Sequence, residues 1–218
     1  MKSLKITLLI VAVVAVAVAV FLFERKSHMT PTPHQGFTIK SRPGHPYGFE
    51  DGDMGWVPQI YPGSQACGQV SSSTEQAKEG QRSLKMSLHL IGSDASFSCG
   101  ETFAMLGPGD GTQDLKGRTL TAWVYAPAGA GGDADKPNGW QLFVKDGQWH
   151  NEYGSWSNIV EGRWVQLSLK IGPDKPENGW IDPGFNPDQI ICVGVRVVAG
   201  TGSTGKYDGP VYLDDVNW

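Results

Sequence analysis

The stretch Ser83-Leu84-Lys85-Met86-Ser87-Leu88-His89-Leu90 alternates without a break. Leu84, Met86, Leu88 and Leu90 fall on one side, and Ser83, Lys85, Ser87 and His89 on the other. Successive side chains of a strand point to opposite faces, so a period of two marks a strand with one dry and one wet face. Working outward, residues 97–103, 119–125, 140–145, 163–171, 190–198 and 211–216 read as further strands, separated by clusters of Gly, Pro, Asn and Asp. Within 163–171 the inner side is Val165, Leu167, Leu169 and Ile171. Beyond the N-terminus no stretch keeps a helical period for more than about two turns. Many short strands without intervening helices predict an all-β domain over residues 47–218, a two-sheet antiparallel β-sandwich of the jelly-roll kind.

Composition agrees. Of 218 residues, 29 are Gly, 14 Pro and 8 Trp, and only 18% are charged. That excludes a coiled coil, a helical bundle and a charge-rich disordered chain. A net charge of −4 gives no basic footprint, so nucleic acid is not an expected partner.

The first 27 residues are not expected to join the fold. Lys2 and Lys5 precede an apolar run over residues 6–23 in which Thr7 is the one polar residue. About 18 residues at 1.5 Å each give roughly 27 Å, near the hydrocarbon thickness of a bilayer. Residues 1–27 therefore read as a transmembrane signal-anchor helix. A cleaved signal peptide is the rival reading, since Ala15-Val16-Ala17 and Ala17-Val18-Ala19 satisfy the small-x-small rule. Val20-Phe21-Leu22-Phe23 continues the apolar run past both sites, which favours the anchor. Such anchors leave a large following domain outside the cytoplasm, at a cell surface or in a periplasm. Residues 28–46 carry Pro31, Pro33, Pro43 and Pro46 and read as an extended linker. Three cysteines outside the cytoplasm suggest one bridge and one leftover. Cys67 and Cys99 are the candidate pair and Cys192 a buried free thiol; three unpaired thiols is the alternative.

Strand parity groups candidate ligand-contacting side chains. Along 140–145, Trp140, Leu142 and Val144 share one face, and Gln141, Phe143 and Lys145 the other. Along 193–197 three valines point inward and leave Arg196 outward. Gln141, Lys145 and Arg196 are thus expected on one solvent-facing sheet surface. Trp140, Trp149, Tyr153 and Trp156 cluster in a stretch rich in Asn, Gly and Ser, and Trp180 lies in a Gly- and Pro-flanked loop. Exposed rings of this kind offer a flat apolar surface for the C–H face of a sugar, with nearby polar groups for its hydroxyls. Trp123 and Trp164, inside alternating strands, are expected in the core.

The order of several motifs resembles galactose-binding-like carbohydrate-binding modules, such as those attached to mannanases and cellulases. The motifs are Phe49-Glu50-Asp51-Gly52 with Gly55-Trp56, read as a first strand; Glu79-Gly80-Gln81-Arg82-Ser83-Leu84-Lys85; Leu115-Lys116-Gly117-Arg118-Thr119-Leu120 leading to Trp123-Val124-Tyr125-Ala126-Pro127; Leu142-Phe143-Val144-Lys145-Asp146-Gly147; Gly162-Arg163-Trp164-Val165-Gln166-Leu167; and Val211-Tyr212-Leu213-Asp214-Asp215-Val216. The resemblance implies a structural calcium where the first and last strands meet, held by Glu50 and Asp214 with backbone carbonyls, and with Asp51 or Asp215 as substitutes. Carboxylate and carbonyl oxygens suit that hard cation.

No nucleophile elbow, zinc-protease helix or phosphate loop is present. Glu101, Asp146, Glu152 and Asp174 are available acids, but no motif pairs them as a glycosidase would need. The expected function is therefore that of a membrane-anchored, non-catalytic module. It would bind a β-linked polysaccharide, mannan- or glucan-like, and a separate chain could supply catalysis. A protein-interaction module and a small glycan-active enzyme are the alternatives.

Overall fold

A computed structural model of the chain describes residues 47–59, 67–92, 99–106, 111–172 and 174–218. The expected anchor (1–27) and linker (28–46) lie outside these residues. Among the described residues no helix is long and apolar enough to cross a membrane. The strands, in chain order, are β1 (Trp56–Gln59), β2 (Cys67–Ser73), β3 (Ser83–Leu90), β4 (Cys99–Met105), β5 (Thr119–Tyr125), β6 (Gly132–Asp133), β7 (Lys136–Pro137), β8 (Gly139–Asp146), β9 (Asn151–Tyr153), β10 (Ser157–Asn158), β11 (Trp164–Lys170), β12 (Trp180–Ile181), β13 (Ile190–Val198) and β14 (Tyr207–Asn217). One 3₁₀ turn, Pro187–Gln189, leads into β13, capped by the Asn186 side chain on the Asp188 amide.

The strands form two antiparallel sheets. One runs β1–β4–β13–β8–β9–β12, with β10 also paired to β8; the other runs β11–β5–β14–β3–β2. β6 and β7 make a separate hairpin. The last two long strands, β13 and β14, each enter the middle of a sheet. The fold is therefore closed by contacts between distant parts of the chain. The inner faces meet in one core. Leu84, Met86, Leu88 and Leu90 of β3, Leu120 and Val124 of β5, and Val211 and Leu213 of β14 pack with Trp140, Leu142 and Val144 of β8 and with Val193, Val195 and Val197 of β13.

Three expectations change. The Phe49–Gly55 motif is a turn rather than a strand: Phe49 and Met54 have positive φ, Tyr47 bridges Val216, and the first strand begins at Trp56. Phe49 and Trp56 are nonetheless buried, packed with Tyr47 as an aromatic cluster. The strand Cys67–Ser73 was not anticipated, because its Gly and Ser residues carry no apolar alternation. Trp123 and Trp164 lie on the outer face of the five-stranded sheet, half-buried. Leu120, Ala122 and Val124 take the inward positions of β5, and Trp164 instead pairs with Tyr125 at 5.6 Å between ring centres. The proposed Cys67–Cys99 bridge lies outside what is described, since the Cys67 side chain is not. Cys192 is a buried free thiol, its pKa pushed up to about 12 by burial.

Leu142 is central to the inner stripe of β8 and is 2% exposed. Leu142→Ala removes buried apolar volume from a close-packed layer and should cost about 2–5 kcal/mol. Denaturant titration, followed by Trp fluorescence, measures it; a cost under about 1 kcal/mol would contradict this packing.

Candidate functional site

The outer face of the larger sheet is organised in rows set by strand register. One row crosses the whole sheet: Val57 faces Phe103, Phe103 faces Gly194, Gly194 faces Phe143, Phe143 faces Tyr153 and Tyr153 faces Trp180. At a strand spacing of about 4.8 Å it spans roughly 24 Å. A second row carries Gln59, Glu101, Arg196 and Gln141, and a third Met105, Cys192, Lys145 and Asn151. Parity thus brings Gln141, Lys145 and Arg196 to one face.

The face is not solvated as expected. Gln141 is 3% exposed and Lys145 6%, while Glu101 is fully buried. These groups are drawn into a network around Glu101. Tyr153 donates its hydroxyl to Glu101 Oε1 at 3.2 Å. Arg196 Nη1 lies 3.9 Å from the same oxygen, and Lys145 Nζ 4.0 Å from Oε2. Arg196 also donates through Nε and Nη2 to Gln141 Oε1, at 2.9 and 2.5 Å, and its guanidinium lies 3.7 Å from the Tyr153 ring centre. Gln141 passes the chain of bonds on by donating to the Gly154 carbonyl at 2.7 Å. Burial, reinforced by the negative Glu101, pushes the Tyr153 hydroxyl far above the usual phenol range, so it stays a donor. Sequence reading counted Glu101 only as an unpaired acid. It is the one carboxylate in β4, the run Cys99–Met105.

The aromatic candidates separate. Trp180 is 51% exposed and sits on this face at the sheet edge, beside Tyr153. Its indole N–H donates to Asp182 Oδ1 at 2.6 Å, which fixes the ring. Asp182 also accepts from the Asn151 amide and side chain. Although burial acts the other way, these bonds hold its carboxyl below the usual range. Trp156, half-buried, lies near the start of β8 on the same face: its ring lies over Gly139, where a Cβ would collide with it, and its N–H donates to Asn158 at 2.8 Å. Trp140 is a correction. It is 2% exposed in the core, on the inward parity of β8, and has no surface to offer a ligand. Trp149, at φ 65°, occupies the turn between β8 and β9, which the Asp146 carboxylate ties together by accepting from the Gln148, His150 and Asn186 amides. Among the described residues no hydrogen bond or ring contact joins Trp149 to the network.

With this geometry in view, comparison with solved structures is informative about fold. A carbohydrate-binding module of the β-sandwich superfamily, described for promiscuous specificity, is 18% identical with a TM-score of 0.52; the match covers 82% of this chain and 63% of that one. The CBM27-1 module of Caldicellulosiruptor saccharolyticus, solved with mannohexaose, is 16% identical with a TM-score of 0.54, covering 78% and 93%. An exo-β-agarase matches over 79% of this chain and 24% of its own, at 14% identity and a TM-score of 0.51. No family model and no curated protein matches the sequence. The domain has the fold of carbohydrate-binding modules, as its motif order led us to expect.

An acidic corner lies where the Phe49–Gly55 turn meets β14. Glu50, Asp51, Glu79, Asp214 and Asp215 line a cavity of about 200 Å³ with Gly48, Phe49, Met54 and Gly80. Glu50 Oε1 accepts from the Gln81 and Arg82 amides at 2.9 and 3.0 Å. Asp214 accepts from Lys78, Glu79 and Asp215 amides at 2.8, 3.1 and 2.8 Å. A side chain at Gly80 would run into the Glu50 carboxylate, so the glycine keeps the cradle open. Burial raises the Asp214 pKa to about 6 against these bonds. Among the described residues no three His, Cys, Asp or Glu side chains converge as a metal group. The donor set is two carboxylates, all oxygen, which fits a hard cation completed by carbonyls.

Glu152, next to Tyr153 but facing inward, is fully buried. Its Oε2 accepts from the Gly172 amide at 3.3 Å, and its Oε1 has no partner. Burial raises its pKa from 4.5 to about 7. The folded chain thus holds this proton more tightly than the unfolded one. The associated stability is full below about pH 4.5 and is lost as pH rises through about 7, on the order of 1–3 kcal/mol. Melting temperature measured across this window should fall, and Glu152→Gln should remove that part of the fall. A variant with an unchanged profile would refute the assignment.

Proposed function

We propose that the chain is a non-catalytic carbohydrate-binding module that takes a β-linked polysaccharide on the outer face of its larger sheet. The observation that carries this reading is the placement of exposed Trp180 in one register row with Tyr153 and Phe143, beside the Arg196–Gln141 pair. Trp180 and Trp156 present rings at two positions on the face, and Gln141, Lys145, Arg196 and Tyr153 are the polar groups for hydroxyls. The shared fold of mannan-binding and other carbohydrate-binding modules supports it. In this reading residues 1–27 anchor the protein in a membrane, and residues 28–46 hold the domain away from it, outside the cytoplasm.

The test is a glycan screen with the full-length chain in a detergent without a sugar headgroup, reading Trp fluorescence. Saturable binding to a β-mannan, β-glucan or related glycan is expected, weakened about tenfold or more in Trp180→Ala and in Trp156→Ala. Binding that is unaltered in both variants would remove the aromatic platform from the reading. Silence across a broad panel with a folded domain would sink the reading itself.

We further propose that Glu50 and Asp214 hold a structural calcium. Bound there, the ion would supply the positive charge that the buried Asp214 carboxylate lacks. Saturating calcium should raise the melting temperature by about 5 °C or more, and Asp214→Asn should abolish that gain. Equal melting temperatures with calcium and with a chelator would rule the ion out.

A further inference from the structure

We infer that the glycan bound on this face is acidic, and that Lys145 and Arg196 receive the carboxylate of a uronic acid residue. The inference rests on the carbohydrate-binding reading above and narrows its substrate class.

The argument begins with hydrogen-bond accounting. The Lys145 side chain is 93% removed from solvent, its exposure being 7%. An ammonium has three N–H groups to satisfy. Among the described residues Lys145 Nζ donates to none. Its partners are Glu101 Oε2 at 4.0 Å, beyond hydrogen-bond reach, and the Phe143 ring at 5.2 Å. Arg196 spends Nε and Nη2 on Gln141, and its Nη1 stands 3.9 Å from Glu101 Oε1, again too far for a bond. Two cations with unspent donors therefore stand beside the two oxygens of one carboxylate, each held in place by other contacts: Arg196 by Gln141 and the Tyr153 ring, Lys145 by its burial beside Phe143.

Charge accounting points the same way. Among the described residues this network holds two cations and one carboxylate, Glu101. A buried charge without a close partner is costly, several kcal/mol per ion, and ion pairs stretched to about 4 Å offset little of it. As a stabilising device the arrangement is poor. As a receptor it is prepared in advance, because much of the desolvation and side-chain ordering precedes the ligand. A sugar hydroxyl could accept from Lys145 but would leave the excess positive charge. A carboxylate satisfies the donors and brings the site to neutrality with charge-assisted bonds. The aromatic edge at Trp180 and Tyr153 remains available to the pyranose that bears it.

The experiment compares two hexasaccharides that differ only at C6: β-1,4-linked mannuronate and β-1,4-linked mannose. Calorimetry on the full-length chain at about 0.1 M salt measures both. The acidic oligomer is expected to bind at least about tenfold tighter, the scale of one charge-assisted hydrogen bond. In Lys145→Met that preference should collapse, with the fold verified by Trp fluorescence. Equal affinity of the wild-type chain for both oligomers, or preference for the neutral one, overturns the inference while leaving the carbohydrate-binding reading intact. A preference that survives in folded Lys145→Met also overturns it. Absence of binding to either oligomer and to every glycan of the broad screen overturns both.

Discussion

Strand β8 has to satisfy two environments at once, and the rest of the domain is arranged around that constraint. Every residue from Gly139 to Asp146 is buried. One side of the strand is core, with Trp140, Leu142 and Val144; the other carries Gln141, Phe143 and Lys145, a mixture that no apolar layer would tolerate without compensation. An antiparallel sheet usually leaves its second face to water. Here that face holds its own small apolar cluster of Phe103, Phe143, Tyr153 and Cys192, within which the polar groups are embedded. The neighbouring strands supply part of what β8 lacks: Arg196 from β13 bonds Gln141, while Glu101 from β4 stands 4.0 Å from Lys145.

This explains what the sequence could and could not reveal. The alternation in Ser83–Leu90 carries directly into β3, and the valines of residues 190–198 into β13, because period two is a local property of extended chain. Parity also assigned Gln141, Lys145 and Arg196 to a common face. It could not give their depth, which depends on what the sheet's second face packs against. The same rule, followed strictly, places Trp140 inward and Trp123 outward. Large aromatic rings invite a guess by residue type, and for these two tryptophans the backbone period was the better guide. Glu101 stayed hidden for a related reason: β4 is buried on both faces, so its sequence shows no alternation to read.

The acidic corner shows a different limit. The Phe49–Gly55 segment reads as a first strand through its resemblance to the carbohydrate-binding modules, yet positive φ at Phe49 and Met54 turns it. The turn is what aims Glu50 at the Gln81 and Arg82 amides and places it in one cavity with Asp214. At the other end of that contact β14 breaks register between Asp214 and Asn217, with Asp215 at φ 46°. Neither irregularity follows from hydropathy. Both lie beside carboxylates that backbone amides hold, Glu50 by Gln81 and Arg82 and Asp214 by Lys78, Glu79 and Asp215.

The two acidic centres of the domain are treated in opposite ways, and the contrast bears on function. Asp214 accepts three backbone amides, so its position is fixed whether or not a cation joins it. Glu101 is instead approached by two cations that stop near 4 Å, with the Tyr153 hydroxyl closer than either. A corner built from amides is a structural tie. A face built from long side chains, with Arg196 ordered by Gln141 and by the Tyr153 ring, has the cationic donors that the proposed ligand would engage. The exposed indole of Trp180 lies at the edge of that second arrangement, one strand from Arg196's stacking partner, so in the proposed reading the aromatic surface stands outside the charged groups.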